Sequence, residues 1–170
     1  MAIPPETERV LFRDWATSDV EPFHAICSDP AVMQFVGDGD PWSLERTKQW
    51  IDDAIAMSQS EGFCLWALID KETSALIGFC GFRPASDGVE IGWRLAKQFW
   101  GQGLATEAAC TVLKYGLEQH GFSRVFANVQ SSNRASIRVC EKLGLKPETS
   151  FQRNGREVLV YSISDVPLFA

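Results

Sequence analysis

Residues 90–105 read E-I-G-W-R-L-A-K-Q-F-W-G-Q-G-L-A. The first six residues have strand character, and a helical period begins at Leu104. Between them Gln98, Gly101 and Gly103 form Q-x-x-G-x-G. The glycines open backbone conformations closed to other residues and keep side chains away from whatever approaches the turn. The first N–H groups of the helix have no partner within it, and the helix dipole is positive there. A strand, a glycine turn and a helix start together make a site for a phosphate or pyrophosphate group.

Upstream of this stretch, Arg9–Trp15 reads as a first strand, and Ser18 with Glu21 matches a capping box for a helix reaching about Cys27. One further turn is expected over Ala31–Val36, then a loop at Gly37–Pro41 and a helix capped by Ser43 running to about Ser60. Three strands follow at Phe63–Asp70, Leu76–Arg83 and Gly88–Leu95, joined by polar turns suited to antiparallel neighbours. Downstream, a helix spans Leu104 to about His120, where a cation would be favoured, and Gly121 ends it. A strand at Arg124–Val129, a helix at Asn133–Leu143 and two strands joined by Asn154-Gly155 complete the chain. The order predicts a mixed α/β domain with one central sheet, and nothing in the 170 residues marks a domain boundary.

Composition narrows the functions available. Lys plus Arg is 16 and Asp plus Glu is 22, a net charge of −6. That disfavours nucleic acid as a partner, because a duplex binder needs a basic face. Five cysteines with no C-x-x-C suit reduced thiols in the cytoplasm. Two distant histidines, His24 and His120, argue against a metal site. No apolar run of 18 residues exists and the N-terminus has no signal-peptide core, so no membrane partner is expected.

The glycine turn has rivals to exclude. A P-loop needs Lys after its last glycine, and none follows Gly103. A dinucleotide fingerprint would put its third glycine at Thr106, and its strand would open the chain. A G-x-S-x-G elbow is absent. A glycine-rich strand-to-helix turn with no ligand fits the same residues equally well. A second group of residues adds to it. Asn133, Ser136 and Cys140 fall within ~60° of arc on one helix face at ~100° per residue. This face presents polar groups among apolar ones, although Asn133 is equally suited to cap the helix and Ser136 to sit on its surface.

Three segments, T-E-R-V-L-F-R-D-W (7–15), E-I-G-W-R-L-A-K-Q-F-W-G-Q-G-L-A-T-E-A (90–108) and N-R-A-S-I-R-V-C-E-K-L-G-L (133–145), resemble GNAT-superfamily N-acetyltransferases, in the branch of the ribosomal-protein acetyltransferases RimJ and RimL. The resemblance covers nearly the whole chain. It implies a mostly antiparallel sheet splayed in the middle and flanked by about four helices, with acetyl-CoA as cosubstrate and no metal. By the same resemblance Gln98, Gly101, Gln102 and Gly103, with the backbone of Leu104, Ala105 and Thr106, form a pyrophosphate loop. Backbone groups of Trp93 and Leu95 would hold the pantetheine arm and polarise the thioester. Asn133 and Ser136 match the second cofactor-contacting segment.

The implied reaction moves an acetyl group to a primary amine, on a protein N-terminus or on a small molecule. Glu90 is the expected base, acting through water, with an ion pair to Arg83 or Arg94 as its alternative role. Many relatives carry Tyr seven residues after the Asn; here that position is Cys140, so Ser136 is the expected acid or sulfur-binding hydroxyl. The protein is expected as a monomer or homodimer. A non-catalytic acyl-CoA sensor of the same fold is the alternative from another class.

Overall fold

In the computed structural model, which describes residues 3–164, an antiparallel meander leads into the glycine turn. Its strands are β1 (Val10–Arg13), β2 (Leu65–Asp70), β3 (Leu76–Ala85) and β4 (Gly88–Leu95). Helices α1 (Val20–Cys27), α2 (Pro30–Met33) and α3 (Leu44–Glu61) lie between β1 and β2. Helix α4 (Leu104–Gln119) joins β4 to β5 (Arg124–Gln130). Helix α5 (Arg134–Lys142) precedes the hairpin of β6 (Lys146–Arg153) and β7 (Arg156–Ser164). The seven strands form one sheet in the order β1-β2-β3-β4-β5-β7-β6. Asn154 and Gly155 both take positive φ, as the two-residue hairpin requires.

The helix ends follow local chemistry. Ser43 accepts the Arg46 N–H at 3.2 Å to start α3, and Gly62 stops it in a left-handed conformation. Asp29 accepts the Ala31 N–H at 2.8 Å, so Pro30–Met33 becomes a short helix of its own, one of five α-helices among the described residues. The Ser18–Glu21 box does not form. A 3₁₀ turn at Thr17–Asp19 precedes α1, and Asp19 takes the Ala16 N–H at 2.9 Å and the Arg13 guanidinium at 2.6 and 2.8 Å. The buried Asp19, paired with the last residue of β1, replaces the expected Ser18 cap.

Both faces of the sheet are covered, and the side-chain alternation of the strands divides the core accordingly. Trp66, Phe82, Ile91 and Leu95 pack with α4 and α5 through Leu104, Val112 and Ile137. Leu65, Ala67 and Phe79 pack on the other face with Phe23, Met33 and Ile51 of α1, α2 and α3. All six residues of β2 are consequently buried. Gly78 permits a close approach here, since a Cβ would collide with the Arg94 carbonyl across the β3–β4 pair. All five cysteines are free and four are buried. Among the described residues no helix is long and apolar enough to cross a membrane, and no cluster of His, Cys, Asp and Glu could hold a metal ion.

Candidate active site

Strands β4 and β5 run parallel but pair only at Val89–Val125 and Glu90–Phe126. Beyond Glu90 they diverge, while β4 stays paired with β3 through to Leu95. The Ala96 N–H bonds the Ile77 carbonyl at 2.8 Å, which fixes the phase of the β3–β4 ladder. Residues 90, 92 and 94 therefore turn their backbone groups to β3, and Ile91, Trp93 and Leu95 turn theirs into the opening. The Leu95 carbonyl accepts Trp100 Nε1 at 2.8 Å. The Trp93 backbone groups and the Leu95 N–H look onto the space that β5 has left.

That space is a groove of about 330 Å³ between the end of β4, the start of α4 and the face of α5. Trp93, Leu95, Gly101, Gly103, Leu104, Ala105, Thr106, Asn133 and Ser136, all anticipated from the sequence, line it together. Gly103 is the residue before α4, with φ of 80°, and has no side chain with which to cap the helix. The first N–H groups of a 16-residue helix thus open into the groove. Gln98 and Gln102 are not among the lining residues. They close the turn instead: Gln102 Nε2 donates to the Gln98 carbonyl at 3.0 Å.

Several further residues were not singled out from sequence. Arg9 Nη1 donates to the Gln102 carbonyl at 2.9 Å, and its guanidinium pairs with Glu107 of α4 at 2.6 Å. Burial alone would push the Glu107 carboxyl up, but bonds from Thr7 and Arg9 and the Arg9 charge outweigh it and hold the group below its usual range. The N-terminal segment thus ties the turn to the helix it starts. Arg138 and Lys142 of α5 bring cations to the opposite wall. Arg138 and Lys142 share a face of α5 at i, i+4, but that face lies ~120–180° round the helix from Asn133 and Ser136, so the helical period did not point to them.

A second cavity of about 200 Å³ adjoins the groove, and Phe35, Val36, Trp93, Arg94, Asn133 and Ser136 line both. Glu90 lies in it, 20% exposed. Its Oε1 accepts Asn128 Nδ2 at 3.1 Å, and its Oε2 is 3.3 Å from Arg83. Glu90 therefore makes the Arg83 ion pair and also faces the cavity. Arg156 pins the segment that carries Phe35, Val36 and Gly37 by donating to the Gln34 and Asp38 carbonyls at 2.8 and 2.9 Å.

Ser136 sits where the two spaces meet. Its N–H is capped by Asn133 Oδ1 at 3.2 Å, so Asn133 is a helix cap as well as a wall of the groove. Its hydroxyl accepts Trp93 Nε1 at 3.3 Å, which leaves the hydroxyl proton free to be donated. Cys140, on the same helix, is fully buried in the core, and burial pushes its thiol up to about 12. Neither tyrosine, Tyr115 or Tyr161, lines groove or cavity.

The chain matches known proteins over most of its length. The sequence profile of the acetyltransferase (GNAT) domain matches residues 9–146. YkkB of Bacillus subtilis is 32% identical over 153 residues, covering 88% of this chain and 86% of its own. A GNAT-family acetyltransferase from Bacillus anthracis superposes with a TM-score of 0.83 at 26% identity, covering 94% of this chain and 96% of the other. RimL, the ribosomal L7/L12 α-N-protein acetyltransferase, in complex with coenzyme A, has the same fold at a TM-score of 0.81 and 19% identity, over 96% and 98% of the two chains. A splayed sheet with an uncapped helix start in the opening defines an acyltransferase, and the chain belongs to the GNAT acetyltransferase family.

Proposed function

We propose that this chain is an acetyl-CoA-dependent N-acetyltransferase that passes the acetyl group directly to a primary amine. One observation carries the reading: Trp93 and Ser136 line both of two adjoining spaces at the opening between β4 and β5, one bordered by the start of α4 and the other by Glu90. The pyrophosphate fits the N–H groups of Leu104–Thr106, with Arg138 and Lys142 opposite. The pantetheine arm lies along Trp93 and Leu95. The Trp93 N–H is the donor for the developing oxyanion, fixed by the β3–β4 ladder before the reaction begins.

The acceptor must attack as a neutral amine. Its lone pair forms the N–C bond, the C–S bond breaks, and the proton lost by nitrogen passes through water to Glu90. Coenzyme A departs as a thiolate. A free thiol has a pKa of about 8.5, so the sulfur needs only the hydrogen bond that Ser136 can give, and solvent protonates it later. Holding both substrates in one slot supplies much of the acceleration.

RimL is named for acting on the α-amine of a ribosomal protein, and that likeness favours a protein N-terminus as acceptor, with a small-molecule amine second. The test is coenzyme A release from acetyl-CoA with a panel of peptides and small amines. Turnover on any of them supports the reading. Acetyl-CoA binding with no turnover on any amine replaces it with an acyl-CoA sensor.

A further inference from the structure

Arg94 stands out among the arginines that line the two spaces. It leaves β4 on the face of Glu90, and its guanidinium carbon lies 4.5 Å from the Trp42 ring centroid, 5.2 Å from that of Phe79 and 6.0 Å from that of Phe23. Its Nη1 donates to Cys27 Sγ at 3.2 Å, and its Nε is buried with no partner. Among the described residues it forms no ion pair, whereas Arg9, Arg13 and Arg83 each have one and Arg124 has two. Burial drags its pKa below the ordinary guanidinium value, and the thiolate form of Cys27 is no substitute, since burial pushes that thiol up.

A cation withdrawn from water needs compensation by an anion or a full set of acceptors. Aromatic faces and one sulfur supply only part of it. If the site required only a filled space, an aliphatic side chain would fill it without the desolvation cost. The surroundings add positive charge. Arg46 stacks on the same Trp42 ring at 4.9 Å, Arg153 lines the cavity, and the cavity's one carboxylate, Glu90, is already bound by Arg83. In a chain of net charge −6, this pocket is locally cationic, and no anion is left in it to pair with Arg94.

We propose that the acceptor amine carries a carboxylate a few bonds from its nitrogen, and that Arg94 binds it. This rests on the acetyl-transfer reading. The thioester is aimed from Trp93, and Arg94 is the next residue along the strand, about 3.3 Å of rise away. Arg94 lines both spaces, so an acceptor whose nitrogen faces the thioester shares its enclosure with this residue. The carboxylate belongs either to a free amino acid or to an acidic side chain at the head of a polypeptide.

The experiment compares free amino acids with their C-terminal amides, and Asp-initiated dipeptide amides with Asn-initiated ones. It uses the full chain and its Arg94→Met and Arg94→Lys variants. Two quantities are read: kcat/KM from coenzyme A release, and calorimetric binding of the N-acetylated forms to the coenzyme A complex. The acid member of a pair is expected to exceed the neutral member by about tenfold or more. That ratio falls toward one in Arg94→Met and in part in Arg94→Lys. A preference in the amino-acid arm assigns the α-carboxylate, and one confined to the dipeptide arm assigns a side chain. Equal acid and neutral rates and binding in the unaltered protein overturn the proposal whether or not the variants fold. So does a preference that persists in Arg94→Met. Acid-selective binding without turnover keeps the anion site and overturns the transferase reading, and turnover without selectivity does the reverse.

Discussion

Trp93 and Ser136 meet across the groove: the indole Nε1 of β4 donates to the hydroxyl on the first turn of α5 at 3.3 Å. The bond joins the two walls that flank the pantetheine arm in our reading, and it orients the serine so that its proton points elsewhere. Ser136→Ala is expected to lower kcat about tenfold, the worth of one hydrogen bond to a charged sulfur, while KM for acetyl-CoA changes less. Trp93→Phe keeps the hydroxyl but frees its rotation, and should cost less than Ser136→Ala. Steady-state kinetics on the three proteins decides the matter, and an unchanged kcat in Ser136→Ala removes Ser136 from the chemistry.

Glu90 combines an ion pair with a place in the cavity, and two variants separate those roles. The Arg83 side chain is 51% exposed, so the pair contributes at most about 1 kcal/mol to stability. Glu90→Gln and Arg83→Gln should therefore melt within a few degrees of the unaltered protein. Only Glu90→Gln should lower kcat, by about a hundredfold, as removal of a general base does. Equal kinetic effects of the two substitutions would mean that Glu90 only pins the strand end.

The parts of this site that are local in sequence were legible before any coordinates. Gly103 before a helical period, Asn133 as a helix cap and Asn154-Gly155 as a hairpin each depend on a few neighbouring residues. The cavity was not legible, because it exists only where β4 and β5 stop pairing after two residue pairs. Nor could the Arg9 clamp on Gln102 be seen, since it spans 93 positions. His120 shows a local rule overridden. A helix end favours a cation, yet His120 stacks on Phe122 with centroids 5.2 Å apart, and burial lowers its pKa. Asp19 is similar: the local box pointed to Ser18, but the Asp19 carboxylate, six residues after Arg13 of β1, forms the stronger bonds.

The glycine before α4 has room for a side chain but not the backbone freedom to carry one. A Cβ on Gly103 would meet only Arg9 Nη2, at 3.7 Å, an ordinary contact. At φ of 80° an alanine costs about 1–2 kcal/mol. Gly103→Ala should therefore lower the melting temperature by several degrees and, by relaxing the turn, weaken coenzyme A binding about tenfold. Arg9→Ala, which leaves the glycine but removes its tether to Gln102, should weaken binding less. Calorimetry with coenzyme A measures both, and full affinity in Gly103→Ala would show that the helix start does not hold the phosphates.

Acid should unfold the protein through its paired carboxylates. Burial alone would raise the Asp19 pKa, but the Arg13 hydrogen bond, the Ala16 N–H and the Arg13 charge outweigh it, and the group titrates below its usual range. Near pH 4 the folded chain then binds fewer protons than the unfolded chain, so stability rises with pH there. The contribution is complete above the ordinary aspartate pKa of about 3.9 and is lost as pH falls through the lower, folded value. Glu107, held down by Thr7 and Arg9, acts with the same sign. The Arg13 side chain is 36% exposed, which weakens the pair, so Asp19→Asn should cost on the order of 1–2 kcal/mol at pH 7. Denaturant titrations at stepwise pH should show the two proteins converging toward pH 3. A constant difference down to that pH would mean that Asp19 stabilises the turn before α1 through its shape rather than its charge.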